Sequence, residues 1–165
     1  MSVTFKGNAV DLSGNVLNVG DSAPKVELVA GDLSIKSVGG ASGKYQIINV
    51  VPSLDTGVCA IQTRTFNQRA ASLPNAEVFV ISLDLPFAQG RFCSTEGIDK
   101  VVALSDFRAK VFGQAYGVVL AGSPLEGLLT RAVFVVDPNG KIVHKEIVSE
   151  ITTEPNYDAA LSAVK

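Results

Sequence analysis

Two apolar runs dominate the pattern of this chain. Residues 45–51 and 77–83 are largely hydrophobic, shorter than ordinary helices, and read as buried strands. The segment between them, 60–73, is compatible with a helix. Strand, helix and strand in that order predict a parallel pair joined by a right-handed crossover. A second helix is expected to start at Pro86, because proline suits the first helical turn, and to end near Gly97. Residues 101–104 read as a short strand and 107–116 as a helix closed by Gly117. Residues 118–130 form a connection punctuated by glycine. Two further strands, 131–136 and 141–148, flank Asp137-Pro138-Asn139-Gly140, the clearest hairpin turn in the chain. A helix over 156–164 follows.

The N-terminal part is more broken. Residues 3–5 and 9–10 predict a small hairpin turning at Gly7-Asn8, with further turns at Gly14-Asn15 and Gly20-Asp21. Short strands are expected at 26–29 and 33–37, joined by Ala30-Gly31-Asp32, and a loop at 39–43. No repeat or linker divides the chain, so residues 1–165 read as a single domain. A βαβ unit followed by a ββα unit is the order of a thioredoxin-like fold. The fold class expected is therefore α/β, thioredoxin-like, with an added N-terminal β-hairpin.

Composition narrows the function. A chain of 165 residues buries roughly 70% of its unfolded surface, enough for a core without staples. The hydrophobic share of 47% and a mean hydropathy of +0.30 argue against disorder. With 14 basic and 16 acidic residues and no basic stripe, nucleic acid is not an expected partner. Apolar runs of about five residues fall far short of a membrane span. The N-terminus carries no secretory pattern, so a cytoplasmic location is favoured over the periplasm.

Two cysteines with no C-x-x-C argue against both a structural disulfide framework and a simple thioredoxin-type site. Cys59 lies where the first core strand gives way to the first core helix. Free N–H groups and the positive end of the helix dipole favour a thiolate there. Pro52, Thr56 and Cys59 form P-x-x-x-T-x-x-C, which matches the active-site motif of the peroxiredoxins at all three positions.

Reducing a peroxide requires a thiolate that attacks one oxygen while the other departs. Acidifying a thiol from a pKa of about 8.5 to about 6 raises its ionised fraction roughly 30-fold at pH 7. The weaker nucleophilicity of the more acidic sulfur takes back about 13-fold. The rest of the catalysis must come from fixed donors at the breaking O–O bond. The hydroxyl of Thr56 and the N–H groups of Val58 and Cys59 are candidates; as an alternative, Thr56 is a helix N-cap. Pro52 would shield the sulfur from water. A cation is also needed. Arg131 is preferred over Arg64, Arg69, Arg91, Arg108 and Lys44, because it opens a core strand where a charge is costly without a purpose. Its alternative is an exposed strand end. Cys93, 34 positions after Cys59, either resolves a sulfenic acid into a disulfide or is an inert helix residue.

Other signals are weak. Gly43-Lys44 lacks the Ser or Thr and the first Gly of a phosphate loop. His144, the single histidine, reads as a solvated residue on a strand edge, and one histidine with two distant cysteines makes no zinc site.

End to end, the chain resembles the bacterial thiol peroxidases, a subgroup of atypical two-cysteine peroxiredoxins. Thr4-Phe5-Lys6-Gly7-Asn8, the Pro52/Thr56/Cys59 motif, Arg91-Phe92-Cys93 and the run from Thr130 to Asp137 carry the likeness. The resemblance implies that Cys59 is the peroxidatic cysteine and Cys93 the resolving one, with Thr56 and Arg131 completing the site. It implies an intramolecular disulfide, reduction by thioredoxin, a homodimer, and hydrogen peroxide and alkyl or lipid hydroperoxides as substrates. It also implies no haem, flavin or metal cofactor. Two rivals differ in class. A disulfide oxidoreductase is disfavoured by the missing C-x-x-C, and a redox sensor or holdase by the intact threonine and arginine. A glutathione-peroxidase type is disfavoured because the chain has no tryptophan.

Overall fold

The computed structural model describes residues 1–70 and 72–165. In chain order the strands are β1 (Ser2–Phe5), β2 (Asn8–Ser13), β3 (Val26–Ala30), β4 (Ile35–Val38) and β5 (Tyr45–Val50). Helix α1 (Gly57–Ala70), strand β6 (Ala76–Ser82) and helix α2 (Pro86–Glu96) follow. The chain continues through β7 (Val101–Ser105), α3 (Val111–Tyr116), β8 (Val119–Ala121), β9 (Ala132–Val136), β10 (Ile142–Ile147) and α4 (Tyr157–Ser162).

Seven strands form the central sheet in the order β10-β9-β5-β6-β7-β3-β4. The middle three, β5, β6 and β7, run parallel, and the outer pairs are antiparallel. The βαβ and ββα units of the thioredoxin-like order are both present. Alternation along the central strands sends their side chains to two separate cores. Ile48, Val50, Phe79, Ile81 and Phe134 face Phe112 and Tyr116 on one side. Ile47, Val51, Val78, Val80, Val133 and Val135 face Cys59 and Phe66 of α1 and Ala160 of α4 on the other.

Several boundaries differ from the sequence reading for local reasons. Helix α1 begins at Gly57, three residues before the expected start, so Cys59 lies inside its first turn. Of the expected 60–73 helix, Ala71 lies outside the described residues. The helix expected over 107–116 begins only at Val111. Lys110 stands before it at φ 54°, and the Asp106 carboxylate takes up the N–H groups of Phe112 and Gly113 instead. Leu33 belongs to a turn at φ 70°, and its strand starts at Ile35. Residues 118–130 are not a bare connection, because β8 within them pairs with β2. His144 is on the sheet edge as expected, in β10, but it is half-buried, not solvated. Its Nε2 is buried without a partner, and burial pushes its pKa down despite nearby Glu146. Among the described residues no helix is long and apolar enough to cross a membrane.

The N-terminal hairpin and β8 form a small second sheet, β1-β2-β8. It encloses a third core of Val3, Val10, Leu120 and Ile151. Backbone bonds run from Thr4 N to Ser149 O at 2.7 Å and from Ile151 N to Thr4 O at 2.9 Å. Glu150 fastens the same joint. Its carboxylate accepts the N–H of Thr152 at 2.9 Å and of Gly7 at 2.9 Å, and the hydroxyls of Thr152 and Thr4. The Thr152 and Gly7 N–H groups, in that order, hold the carboxyl down to about 2.

Two outcomes follow from these contacts. Gly117 closes α3 at φ 69°, and a Cβ there would overlap the carbonyl oxygen of Asn15. Gly117→Ala should therefore lower stability by about 2–3 kcal/mol, seen in urea unfolding, and Tm by roughly 5–10 °C. Glu150 has a folded-state pKa below its unfolded value. Its contribution is complete above the ordinary carboxylate range and is lost as pH falls from about 4.5 toward 2. Amide protection factors at Thr4 and Gly7 should drop across that window, faster than those of the central sheet. In Glu150→Gln they should already be low at neutral pH and unresponsive to acid.

Candidate active site

Strand β5 ends at Val50, and its direction carries the chain through Val51 and Pro52 into the turn that starts α1. Thr56 is the last residue before that helix. Its carbonyl accepts the N–H of Ala60 at 3.0 Å, the first bond of the helical ladder. The N–H groups of Val58 and Cys59, one turn too early for a helical partner, find no acceptor among the described residues. No acidic side chain occupies this first turn to compete for its positive potential.

Cys59, Gln62, Thr63 and Phe66 form the buried stripe of α1, spaced i, i+3, i+4, i+7. The middle of that stripe is polar. Thr63 returns its hydroxyl to the carbonyl of Cys59 at 2.8 Å. Gln62 faces the end of β9, and there it meets Arg131.

Arg131 sits one residue before β9 and is only 2% exposed. Its Nε donates to the carbonyl of Ile151 at 2.8 Å. Its Nη1 donates to the Cys59 sulfur at 3.2 Å and to Gln62 Oε1 at 2.9 Å. Gln62 in turn donates to Asn49 Oδ1 at 3.4 Å, and Asn49 donates to the carbonyl of Phe79 at 3.1 Å. No carboxylate pairs with Arg131 among the described residues. Leaving a guanidinium buried without a counter-charge costs several kcal/mol. Here the group in the place of a counter-ion is Cys59 Sγ.

The rival cations are elsewhere. Arg64 pairs with Glu96 at 3.0 Å, and Arg69 pairs with Asp158 at 2.6 Å. Arg108 lies over the Phe107 ring, and Arg91 and Lys44 are exposed. Of the two expectations for Arg131, the exposed strand end is wrong.

A cavity of about 220 Å³ opens beside this arrangement, lined by Pro52, Thr56, Val58 and Arg131 with Phe5, Leu125, Leu128 and Ile151. Pro52 is buried and forms part of its wall. The sulfur itself is 0% exposed. Arg131 is the side chain that both touches the sulfur and lines the cavity, and its Nη2 has no acceptor among the described residues. The Thr56 hydroxyl also borders the cavity, but it donates to the carbonyl of Ser53 at 2.9 Å, not to the sulfur. An incoming oxygen would therefore meet a lone pair of Thr56 unless that hydroxyl turns.

Cys93 lies on α2, half-buried in the same core as Cys59, and both thiols are free. Burial pushes the Cys93 thiol pKa up, so it is held protonated. Helix α2 is lightly seated: only Pro86 and Gln89 are buried, and Gly90 interrupts its middle.

Gln62 and Asn49 were not singled out in the sequence. A glutamine one helical turn after Cys59 and an asparagine inside the apolar 45–51 run were the available signals, since polar groups in such positions need buried partners.

Comparisons with known proteins show the family. The Redoxin family model matches residues 18–161. The thiol peroxidase of Campylobacter jejuni is 58% identical over 154 residues, covering 93% of this chain and 87% of that protein. That of Corynebacterium glutamicum is 51% identical over 160 residues, covering 97% and 96%. The crystal structure of a peroxiredoxin-like protein from Aquifex aeolicus superposes with a TM-score of 0.94 at 46% identity, covering 98% of this chain and 95% of that one. The chain belongs to the redoxin family, as one of its bacterial thiol peroxidases, enzymes that reduce peroxides at the expense of thiols.

Proposed function

We propose that Cys59 is the peroxidatic cysteine and Cys93 the resolving one, in a cycle that thioredoxin completes. The contact between Arg131 Nη1 and Cys59 Sγ is the observation that carries this reading. In the first step the Cys59 thiolate attacks the terminal oxygen of a hydroperoxide, ROOH. An S–O bond forms as the O–O bond breaks. The departing RO⁻ takes a proton to become the alcohol, and the sulfur is left as a sulfenic acid. Arg131 faces the charge as it moves from sulfur to leaving oxygen, with Nη2 free to receive it. The Val58 and Cys59 N–H groups, and the Thr56 hydroxyl once turned, add donors. Pro52 excludes water from the sulfur.

In the second step the Cys93 thiol loses its proton, attacks the sulfenic sulfur and expels the oxygen as water. The intramolecular disulfide then stores the two electrons given to the peroxide. The light seating of α2 supports this role, because Cys93 must travel with its helix to reach a buried partner within disulfide range. Thioredoxin returns the two electrons as its own dithiol becomes a disulfide. The apolar lining of Phe5, Leu125, Leu128 and Ile151 favours alkyl and lipid hydroperoxides over hydrogen peroxide. A cytoplasmic homodimer of single-domain chains, working without haem, flavin or metal in antioxidant defence, completes the reading.

The test is NADPH consumption with thioredoxin, thioredoxin reductase and a hydroperoxide. The wild-type chain should turn over, with a higher kcat/KM for cumene hydroperoxide than for hydrogen peroxide. Cys59→Ser should be inactive. Cys93→Ser should consume one equivalent of peroxide and stop, and intact mass should then show one added oxygen. Activity retained by Cys59→Ser would refute the assignment.

Arg131→Met should slow peroxide reduction by about 10²–10³-fold, the range for loss of one charged donor at a developing anion. Arg131→Lys should recover only part of this, because an ammonium cannot hold Ile151, Gln62 and the sulfur in one plane. Stopped-flow oxidation of the reduced protein measures both.

A further inference from the structure

A partly buried cluster adjoins the cavity, whose lining includes Ser53. Parallel pairing of β5 and β6 brings the loop after β5 beside the loop after β6, joined by Val51 N to Ile81 O at 3.1 Å. Asp84 sits at that seam, two residues before Pro86 opens α2. Its carboxylate accepts the Ser53 hydroxyl at 2.7 Å, the Leu54 N–H at 2.8 Å and the Ser82 hydroxyl at 2.7 Å. Its own carbonyl accepts the Ser105 hydroxyl at 2.5 Å. No cation pairs with it among the described residues. This acid is therefore not half of an ion pair, and its oxygens accept short hydrogen bonds from neutral donors.

Two of those donors belong to the loop that leads to Cys59. Ser53, gripped through its side chain, uses its carbonyl to hold both the Thr56 hydroxyl at 2.9 Å and the Thr56 N–H at 3.3 Å. Thr56 in turn starts the ladder of α1. The path from Asp84 to the first turn of α1 is thus Ser53 and Thr56, each step a hydrogen bond.

We propose that Asp84 is a positioning residue for the peroxide step, setting the loop over residues 52–56 so that Thr56 and the first-turn N–H groups meet the O–O bond. The inference rests on the assignment of Cys59 above. It differs from a plain folding role in what it predicts. Misplacing donors by a fraction of an ångström slows a reaction that needs all of them at once. It barely affects one that needs only an accessible thiolate.

The test compares two reactions of the same sulfur in the reduced Cys93→Ser background. One is stopped-flow oxidation by cumene hydroperoxide, and the other is alkylation by iodoacetamide. Asp84→Asn keeps the shape but weakens the grip, and Ser53→Ala removes the bond to Asp84, with the Asp55 N–H bond that the same hydroxyl accepts at 3.2 Å, and keeps the carboxylate. Asp84→Asn should slow oxidation by about 10–100-fold and alkylation by less than about threefold, with Ser53→Ala intermediate. The double variant should be little slower than Asp84→Asn alone, because both act on one path. Equal slowing of both reactions, unchanged oxidation, or effects that multiply in the double variant would overturn the proposal. Should Asp84→Asn fail to fold, Ser53→Ala decides by the same ratio. If the parent protein itself does not react with peroxide, the assignment of Cys59 fails as well. If the parent reacts and the variants match it, only the role of Asp84 is lost.

Discussion

A guanidinium buried against a sulfur is the constraint around which the rest of this structure is arranged. Arg131 is nearly sealed from water and has no carboxylate beside it among the described residues. Such a charge is tolerable only where every available partner is fixed, and the partners come from two distant parts of the chain. The Cys59 sulfur and the Gln62 amide are on α1, and the carbonyl of Ile151 follows β10. Holding them together takes the central sheet, the crossover helix and the loop that the N-terminal hairpin braces. The hairpin is thus more than an appendage: its bonds to 149–152 steady the carbonyl that orients Arg131.

The same constraint explains why polar groups interrupt an otherwise apolar layer. Gln62 and Asn49 lie between α1 and β5, where leucine or valine would pack better. Each amide passes its hydrogen-bonding need to the next until the carbonyl of Phe79 absorbs it. A satisfied buried network of this kind resists rearrangement, since breaking one bond strands its neighbours. Rigidity on the Cys59 side contrasts with α2, where few side chains are buried and Cys93 is held as a neutral thiol. One cysteine is anchored and the other is placed on a lightly seated helix.

Much of this was legible in the sequence, for identifiable reasons. The runs 45–51 and 77–83 gave the parallel pair because strands covered on both faces must be apolar throughout. Pro86 and Gly97 bracketed α2, and Pro52, Thr56 and Cys59 gave the motif. The start of α1 was placed late because its buried stripe is Cys59, Gln62, Thr63 and Phe66, which lacks a clean apolar period. The short α3 was drawn too long because the Asp106 carboxylate, two turns upstream in sequence, does the capping. Strand β8 was hidden by its glycine-rich surroundings, and its partner, β2, is more than a hundred residues away. Long-range hydrogen bonds of this type leave no local trace. His144 was misjudged because an edge strand usually faces water, whereas β10 is partly covered.

Alternation along β5, β6 and β9 separates the hydrocarbon interior into two compartments that share strands but no side chains. Both cysteines border one of them. The other, with Phe112 stacked on Tyr116 and Phe134 set edge-on against that tyrosine, has no reacting group in it. The sheet thus works as a bulkhead. In the proposed cycle, α2 can loosen on one side of the sheet while the aromatic core on the other side keeps its packing.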